Sequence, residues 1–224
     1  MSTTILKPTS TARIDAAFGT AKSGIRHAPL SALDGIDRNE IMVWCMANGV
    51  YQVPTTELVD ALARLIAPFE DPIEICAGHG AIGRALGIPR TDSYLHTTTV
   101  MRQVYASMGQ PVTEPPQDVE KLDAIAAINV YNPDVVLGCF VTQLGTPDIE
   151  QSSSFGVDEI RLLRHPVLRR YIMVGNVAVH GKRLALKHAH RELHKGAPWL
   201  VSRAFDQSLN LIYVWGDDPG SVTP

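Results

Sequence analysis

Residues 72–83 constrain this chain more than any other stretch. Pro72-Ile73-Glu74-Ile75-Cys76-Ala77 is short, apolar and β-branched near its start, which predicts a buried strand. Gly78-His79-Gly80-Ala81-Ile82-Gly83 follows at once, and a brief helix is expected through Leu86. Glycine accepts a positive φ, and without a Cβ it lets backbone approach a ligand closely. A helix that begins directly after such a turn points its free N–H groups at that ligand. A bare Gly-x-Gly says little, but between a strand and a helix it marks a binding turn.

The remaining sequence sets this turn in an α/β pattern. Asp37 is positioned to cap a helix that runs to Asn48 and ends at Gly49. Thr55 or Thr56 caps an amphipathic helix with Leu58, Val59, Leu62, Leu65 and Ile66 at helical spacing, closed by Pro68. Residues 90–94 read as the end of a second strand, 100–108 as a helix and 119–130 as another. Residues 134–141 form a continuous apolar run suited to the middle of a parallel sheet. A helix over 157–164 and a buried strand over 171–175 follow, then two strand-like runs, 199–201 and 209–215, expected as an antiparallel pair at a sheet edge. Residues 1–35 look irregular. The expected architecture is a Rossmann-like doubly wound sheet with a C-terminal antiparallel hairpin. Residues 1–50 would be an N-terminal segment and small helical cap, and 51–224 the cofactor-binding domain. In such sheets ligands sit beyond the carboxyl ends of the strands, where strand order reverses. That places the site at 76–83, at Asp92 and just after Val141.

At these residues the chain resembles the class I S-adenosylmethionine-dependent methyltransferases. Their first motif is an acid at the end of the first strand followed by a glycine-rich turn. Glu74 matches the acid, Gly78 and Gly80 match the second and third glycines, and Cys76 stands where the first is expected. The resemblance implies that Glu74, Cys76, Ala77, Gly78 and Gly80 hold the cofactor and that Asp92 takes its ribose hydroxyls. It puts the adenine edge near Asp118, Val119 and Glu120. Tyr51-Gln52-Val53-Pro54-Thr55 before the first core helix is similar to poorly characterised bacterial and phage members. Substrate contacts are expected after the fourth strand, at Thr142 and Gln143, with Gln52 and Asn176 as further contacts. The Asp/Asn-Pro-Pro-Tyr signature of amino-methylating members is absent there. Tyr51, Gln143 and His180 are the candidates for catalysis, His180 as a base. The implied reaction is methyl transfer to a small or anionic acceptor.

Two other functions share parts of this pattern. Gly78-His79-Gly80-Ala81-Ile82-Gly83 also spells a dinucleotide turn, as in an NAD(P)-dependent oxidoreductase. Glu74, four residues before Gly78, has no role in that reading. Cys76 in place of glycine also allows a non-catalytic module that keeps the fold and its ligand.

Residues 161–195 carry nine Lys/Arg against the single acid Glu192, a segment charge of +8 in a chain of net −3. That asymmetry admits a nucleic-acid partner, whereas a solvated face with internal ion pairs is the expectation. His188, His190 and His194 lie close together, and a helix would put His190 and His194 on one face, but no metal site is expected. Three scattered cysteines, Cys45, Cys76 and Cys139, do not read as a disulfide framework. With no apolar run long enough for a membrane span and no secretory-type apolar core at the start, a cytoplasmic location is expected.

Overall fold

The structure, a computed structural model, describes residues 9–107, 109–145 and 155–217. Residues 1–8 and most of the connection between the expected strand over 134–141 and the helix over 157–164 lie outside the described residues. In chain order the strands are β1 (Pro72–Ile75), β2 (Thr91–Asp92), β3 (Glu120–Lys121), β4 (Val135–Cys139), β5 (Arg170–Asn176), β6 (His190–Leu193) and β7 (Asn210–Gly216). The helices are α1 (Ala12–Phe18), α2 (Arg38–Asn48), α3 (Thr56–Ile66), α4 (Ala81–Leu86), α5 (Thr99–Ser107), α6 (Ala124–Tyr131), α7 (Glu159–Leu163) and α8 (Val177–His180).

The result is a mixed α/β fold around a mostly parallel central sheet. Its five strands run in the order β1-β4-β5-β7-β6, with β7 antiparallel to both neighbours. β2 and β3 form a parallel pair of their own. That pair is tied to β1 by a bridge from Glu74 to Arg90, and by Glu74 N–H to Pro89 O and Ala77 N–H to Thr91 O. The chain therefore builds outward from β1 on one side and returns to build from β4 on the other.

Alternation along the strands explains the layers. Ile73, Ile75, Val136, Tyr171, Met173, Leu211, Tyr213 and Trp215 face one side, against α6 and α7. Val135, Leu137, Ile172, Val174, Ile212 and Val214 face the other, against Leu58, Leu62 and Ile66 of α3 and Ile82 of α4. A third cluster, built on Ile14, Phe18, Leu33, Ile41, Trp44 and Val53 with Val201, belongs to the N-terminal segment. Among the described residues no helix is long and apolar enough to cross a membrane.

Several expected elements differ. The helix expected from Val119 begins only at Ala124, because the Asp123 carboxylate accepts the Ile125 and Ala126 N–H groups. The residues before it are drawn into β3, and Leu122 N–H donates to Asp92 O. The outer arm of the C-terminal pair is β6, not 199–201. Leu200 and Val201 are buried, but their carbonyls accept from Asn210 Nδ2 and from Gln52 Nε2 and Val53 N–H, not from a ladder. The N-terminal region contains the helix α1, and residues 190–193 are a strand, so a shared helical face for the histidines does not exist.

Candidate functional site

Three neighbouring strands end in the same way. Just past β1, β2 and β4 the chain turns at Cys76 (φ 52°), Tyr94 (φ 59°) and Phe140 (φ 52°). None is glycine, and side chains at such torsions are strained by roughly 1–3 kcal/mol each. The turns open a cavity of about 230 Å³ at the switch point between β1 and β4. Cys76, Gly78, His79, Asp92, Asp123, Cys139, Phe140 and Thr142 line it from the sheet side, and Met46, Gly49 and Tyr51 from the N-terminal segment. A smaller void of about 80 Å³ adjoins it and shares Gly49, Tyr51, Cys76, Gly78, His79 and Cys139.

The glycines of the turn serve different ends. Gly78 (φ 53°) has open space where a Cβ would stand, and its backbone lines both voids. At Gly80 a Cβ would meet Val119 and Arg90 at 2.7 and 2.8 Å, and at Gly83 it would meet Glu74 Oε2 at 2.5 Å. Those two glycines allow close packing and do not face the main cavity. Glu74 is 2% exposed and its Oε2 accepts the Gly83 N–H at 2.9 Å. Gly80, the N-cap of α4, has no side chain to offer, so Glu74 satisfies a first-turn donor of that helix from the strand. Burial pushes the Glu74 carboxyl up to about 8, against the Gly83 N–H and the Arg90 charge. Glu74 touches only the small void, beside Ala77.

Asp92 stands in the main cavity. Its Oδ2 accepts the Gly78 N–H at 2.9 Å and its Oδ1 the Tyr94 N–H at 2.8 Å, which locks the carboxylate against the glycine turn. Asp118, Val119 and Glu120, by contrast, are absent from the main-cavity lining. Asp118 is held by Arg84 at 2.8 Å and Arg90 at 2.7 Å, and these cations keep its carboxyl well below the usual range. Val119 is buried against Gly80, and Glu120 accepts from the Tyr131 hydroxyl. The residues that line the cavity at the start of α6 are Leu122, Asp123 and Ala124.

Beyond Phe140 a second pocket of about 230 Å³ is bounded by Tyr51, Phe140, Thr142, Gln143, Val179, His180 and Lys182. Tyr51, Phe140 and Thr142 border both this pocket and the main cavity. Gln143 Oε1 accepts the Leu184 N–H at 2.8 Å, and Gln143 is not among the residues lining the main cavity. His180 does not suit a base. Its Nδ1 lies 2.9 Å from the Asn176 nitrogen and 3.2 Å from the Asn176 carbonyl oxygen, and burial with the nearby Arg183 charge lowers it to about 3. The ring packs edge-on against Phe140. Asn176 is fully buried and spent on structure, with its amide on Asp206 O and Asn210 Oδ1 and its oxygen capping α8. Gln52 is 5% exposed, donates to Val201 O and borders only the small void.

The sequence reading missed His79, Tyr105, Arg203 and the stretch 110–113, all of which line the main cavity. Only His79 had a local signal, since it lies inside the glycine turn. Three cations of the basic segment are engaged within the chain. Arg170 is buried on Leu65 O and Asp217 O, Arg183 is buried against Glu159, and Lys195 lies near Glu192. His190 packs near Tyr213 and Trp215, and His194 against Trp199.

No protein-family profile matches the chain, and no curated protein matches it. Among solved structures, WbdD bound to the kinase inhibitor LY294002 is similar over 83% of this chain and 43% of its own, at 14% identity and a TM-score of 0.37. A 2.2 Å structure of WbdD gives the same identity and TM-score over 42% of its length. The chain spans less than half the length of these proteins. A likeness this distant carries no weight for fold or function, which rest on the geometry above.

Proposed function

We propose that this chain is a Rossmann-like S-adenosylmethionine-dependent methyltransferase whose cofactor lies in the cavity at the β1–β4 switch point. The observation that carries this reading is the Asp92 carboxylate at the end of β2, fixed inside the cavity beside the open backbone of Gly78. A carboxylate has about four acceptor positions. Backbone N–H groups take two at Asp92, which leaves acceptors for the two hydroxyls of a ribose. Leu122 and Ala124 offer apolar contact for an adenine. The reversed β7 between β5 and β6 also supports the reading, because it is the C-terminal arrangement that the resemblance implies.

When bound, the cofactor supplies a methyl group on a sulfonium, already a good leaving group, so the protein's part is positioning and water exclusion. Asp92 and Gly78 orient the nucleoside half. Tyr51, Phe140 and Thr142 form the border across which a small or anionic acceptor reaches it from the side pocket. His180 borders that pocket as a neutral ring. Cys76, whose side chain lines the cavity where a glycine was expected, favours a second reading in which the same fold holds the ligand without transfer.

Calorimetric titration with S-adenosylmethionine, S-adenosylhomocysteine and NAD(P)H tests the reading. Both sulfur ligands should bind, with affinity lost in Asp92→Ala and kept in Asp118→Ala, whose carboxylate lies outside the cavity. Stoichiometric NAD(P)H binding without S-adenosylhomocysteine would instead establish the oxidoreductase. Binding with no labelled methyl passing to any acceptor would favour the non-catalytic module.

A further inference from the structure

The main cavity contains one charge that its surroundings do not explain. The Arg203 guanidinium lies 3.9 Å above the Tyr51 ring and lines the cavity. Elsewhere in the chain Arg13, Arg84, Arg90, Arg102 and Arg183 meet carboxylates, and Arg26, Arg38 and Arg170 meet backbone carbonyls. Among the described residues Arg203 has no ion pair. The two acids of the cavity accept from backbone N–H groups, Asp92 from Gly78 and Tyr94, and Asp123 from Ile125 and Ala126, and neither forms an ion pair with Arg203.

The position of Arg203 is built, not incidental. Its own N–H donates to Tyr51 O at 2.7 Å, so cation and ring are joined at the backbone as well as at the side chains. The loop on either side is pinned by Arg38, which donates to Ser202 O and Ala204 O. Tyr51 and Tyr105 both line the cavity beside Arg203. The Tyr51 ring sits against the guanidinium, and a guanidinium's N–H fork is the geometry that matches a carboxylate.

We propose that Arg203, stacked on Tyr51, is the anion-recognition residue of the cavity and pairs with a carboxylate on the molecule that the cavity takes up. What that molecule is rests on the methyltransferase reading; the anion site does not. Two sources supply the same chemistry, the amino-acid end of the cofactor and an anionic acceptor.

The test compares wild type, Arg203→Gln and Arg203→Lys in calorimetric titration with S-adenosylhomocysteine and with 5′-methylthioadenosine, which lacks the carboxylate. In parallel, phenylglyoxal modification of Arg203 is followed by mass spectrometry with and without benzoate. If the cofactor supplies the anion, Arg203→Gln weakens S-adenosylhomocysteine roughly tenfold or more and leaves methylthioadenosine unchanged, as expected for one charge-assisted pair. If the acceptor supplies it, S-adenosylhomocysteine binds all three proteins alike, and benzoate slows modification of Arg203 in the loaded wild type. Benzoate protection without binding of either nucleoside would keep the anion site while sinking the methyltransferase reading. Unchanged S-adenosylhomocysteine affinity in Arg203→Gln, together with no benzoate protection in any state, overturns the proposal. The modification arm uses wild-type protein, so it decides the matter even if a variant fails to fold.

Discussion

Glu74 holds a helix in place at the expense of a carboxyl group taken out of water. Its folded-state value of about 8 lies above that of an unfolded glutamate, near 4.3. The folded state therefore keeps a proton that the unfolded chain releases. The contribution of Glu74 to stability is full below about pH 4.3, declines as pH rises, and is lost by about pH 8. Within that window the slope approaches about 1.4 kcal/mol per pH unit. Glu74→Gln keeps an acceptor for the Gly83 N–H and removes the titration. Urea unfolding at pH 5 and pH 9 should show the variant gaining on wild type at the higher pH; an equal difference at both pH values would contradict the burial argument. Cys76 gives a second expectation. Cys76→Gly relieves a left-handed torsion but loses side-chain packing and adds freedom to the unfolded chain, so its stability should stay within about 1 kcal/mol of wild type. Cys76→Val, β-branched at the same torsion, should cost more than that, read from the same urea curves. The glycine turn and Asp92 were legible at this scale because their signal is local. Arg203 was not, since nothing near it in sequence says that its loop folds back onto Tyr51.

Among the elements, α7 depends on a buried pair. Glu159 Oε1 accepts from Arg183 Nη1 at 2.7 Å and from the Tyr171 hydroxyl at 2.8 Å, and Arg183 Nη2 donates to Val141 O at 2.6 Å. This ties α7, β5 and the end of β4 together beneath the side pocket. Glu159→Leu leaves an uncompensated buried guanidinium and should cost about 3–5 kcal/mol. Glu159→Leu with Arg183→Met should cost clearly less than the sum of the two single changes, measured as a double-mutant cycle in urea. The elements that sequence revealed are those with a long internal pattern. In α3, Leu58, Leu62 and Ile66 recur between the Thr55 cap and Pro68, and β4 is an apolar run. β3 was hidden because it is two exposed residues, Glu120 and Lys121, recruited by β2 and carrying no apolar pattern. β6 reads His-Arg-Glu-Leu, an edge strand defined by its partner β7 and not by its composition. Leu200 and Val201 misled in the opposite sense, apolar because they fill the core and irregular because their carbonyls go to the Asn210 and Gln52 side chains and the Val53 N–H instead of a ladder.

For the whole molecule, the cavity wall is assembled from the ends of β1, β2 and β4 together with the N-terminal segment. A ligand that fills it must therefore damp motion in distant parts of the chain at once. S-adenosylhomocysteine should slow amide exchange about tenfold or more over 49–52, 76–79 and 92–96 together and leave 190–193 unchanged. Slowing confined to one of these segments would mean that the cavity is not a single site. The three left-handed turns that open this wall also bear on how such a protein is recognised. Cys76, Tyr94 and Phe140 hold torsions for which glycine is the ordinary spelling. A relative could exchange any of the three for glycine and keep the backbone path, or keep side chains and lose the familiar letters. Kinship here should therefore be preserved more faithfully in an alphabet of backbone angles than in one of amino acids.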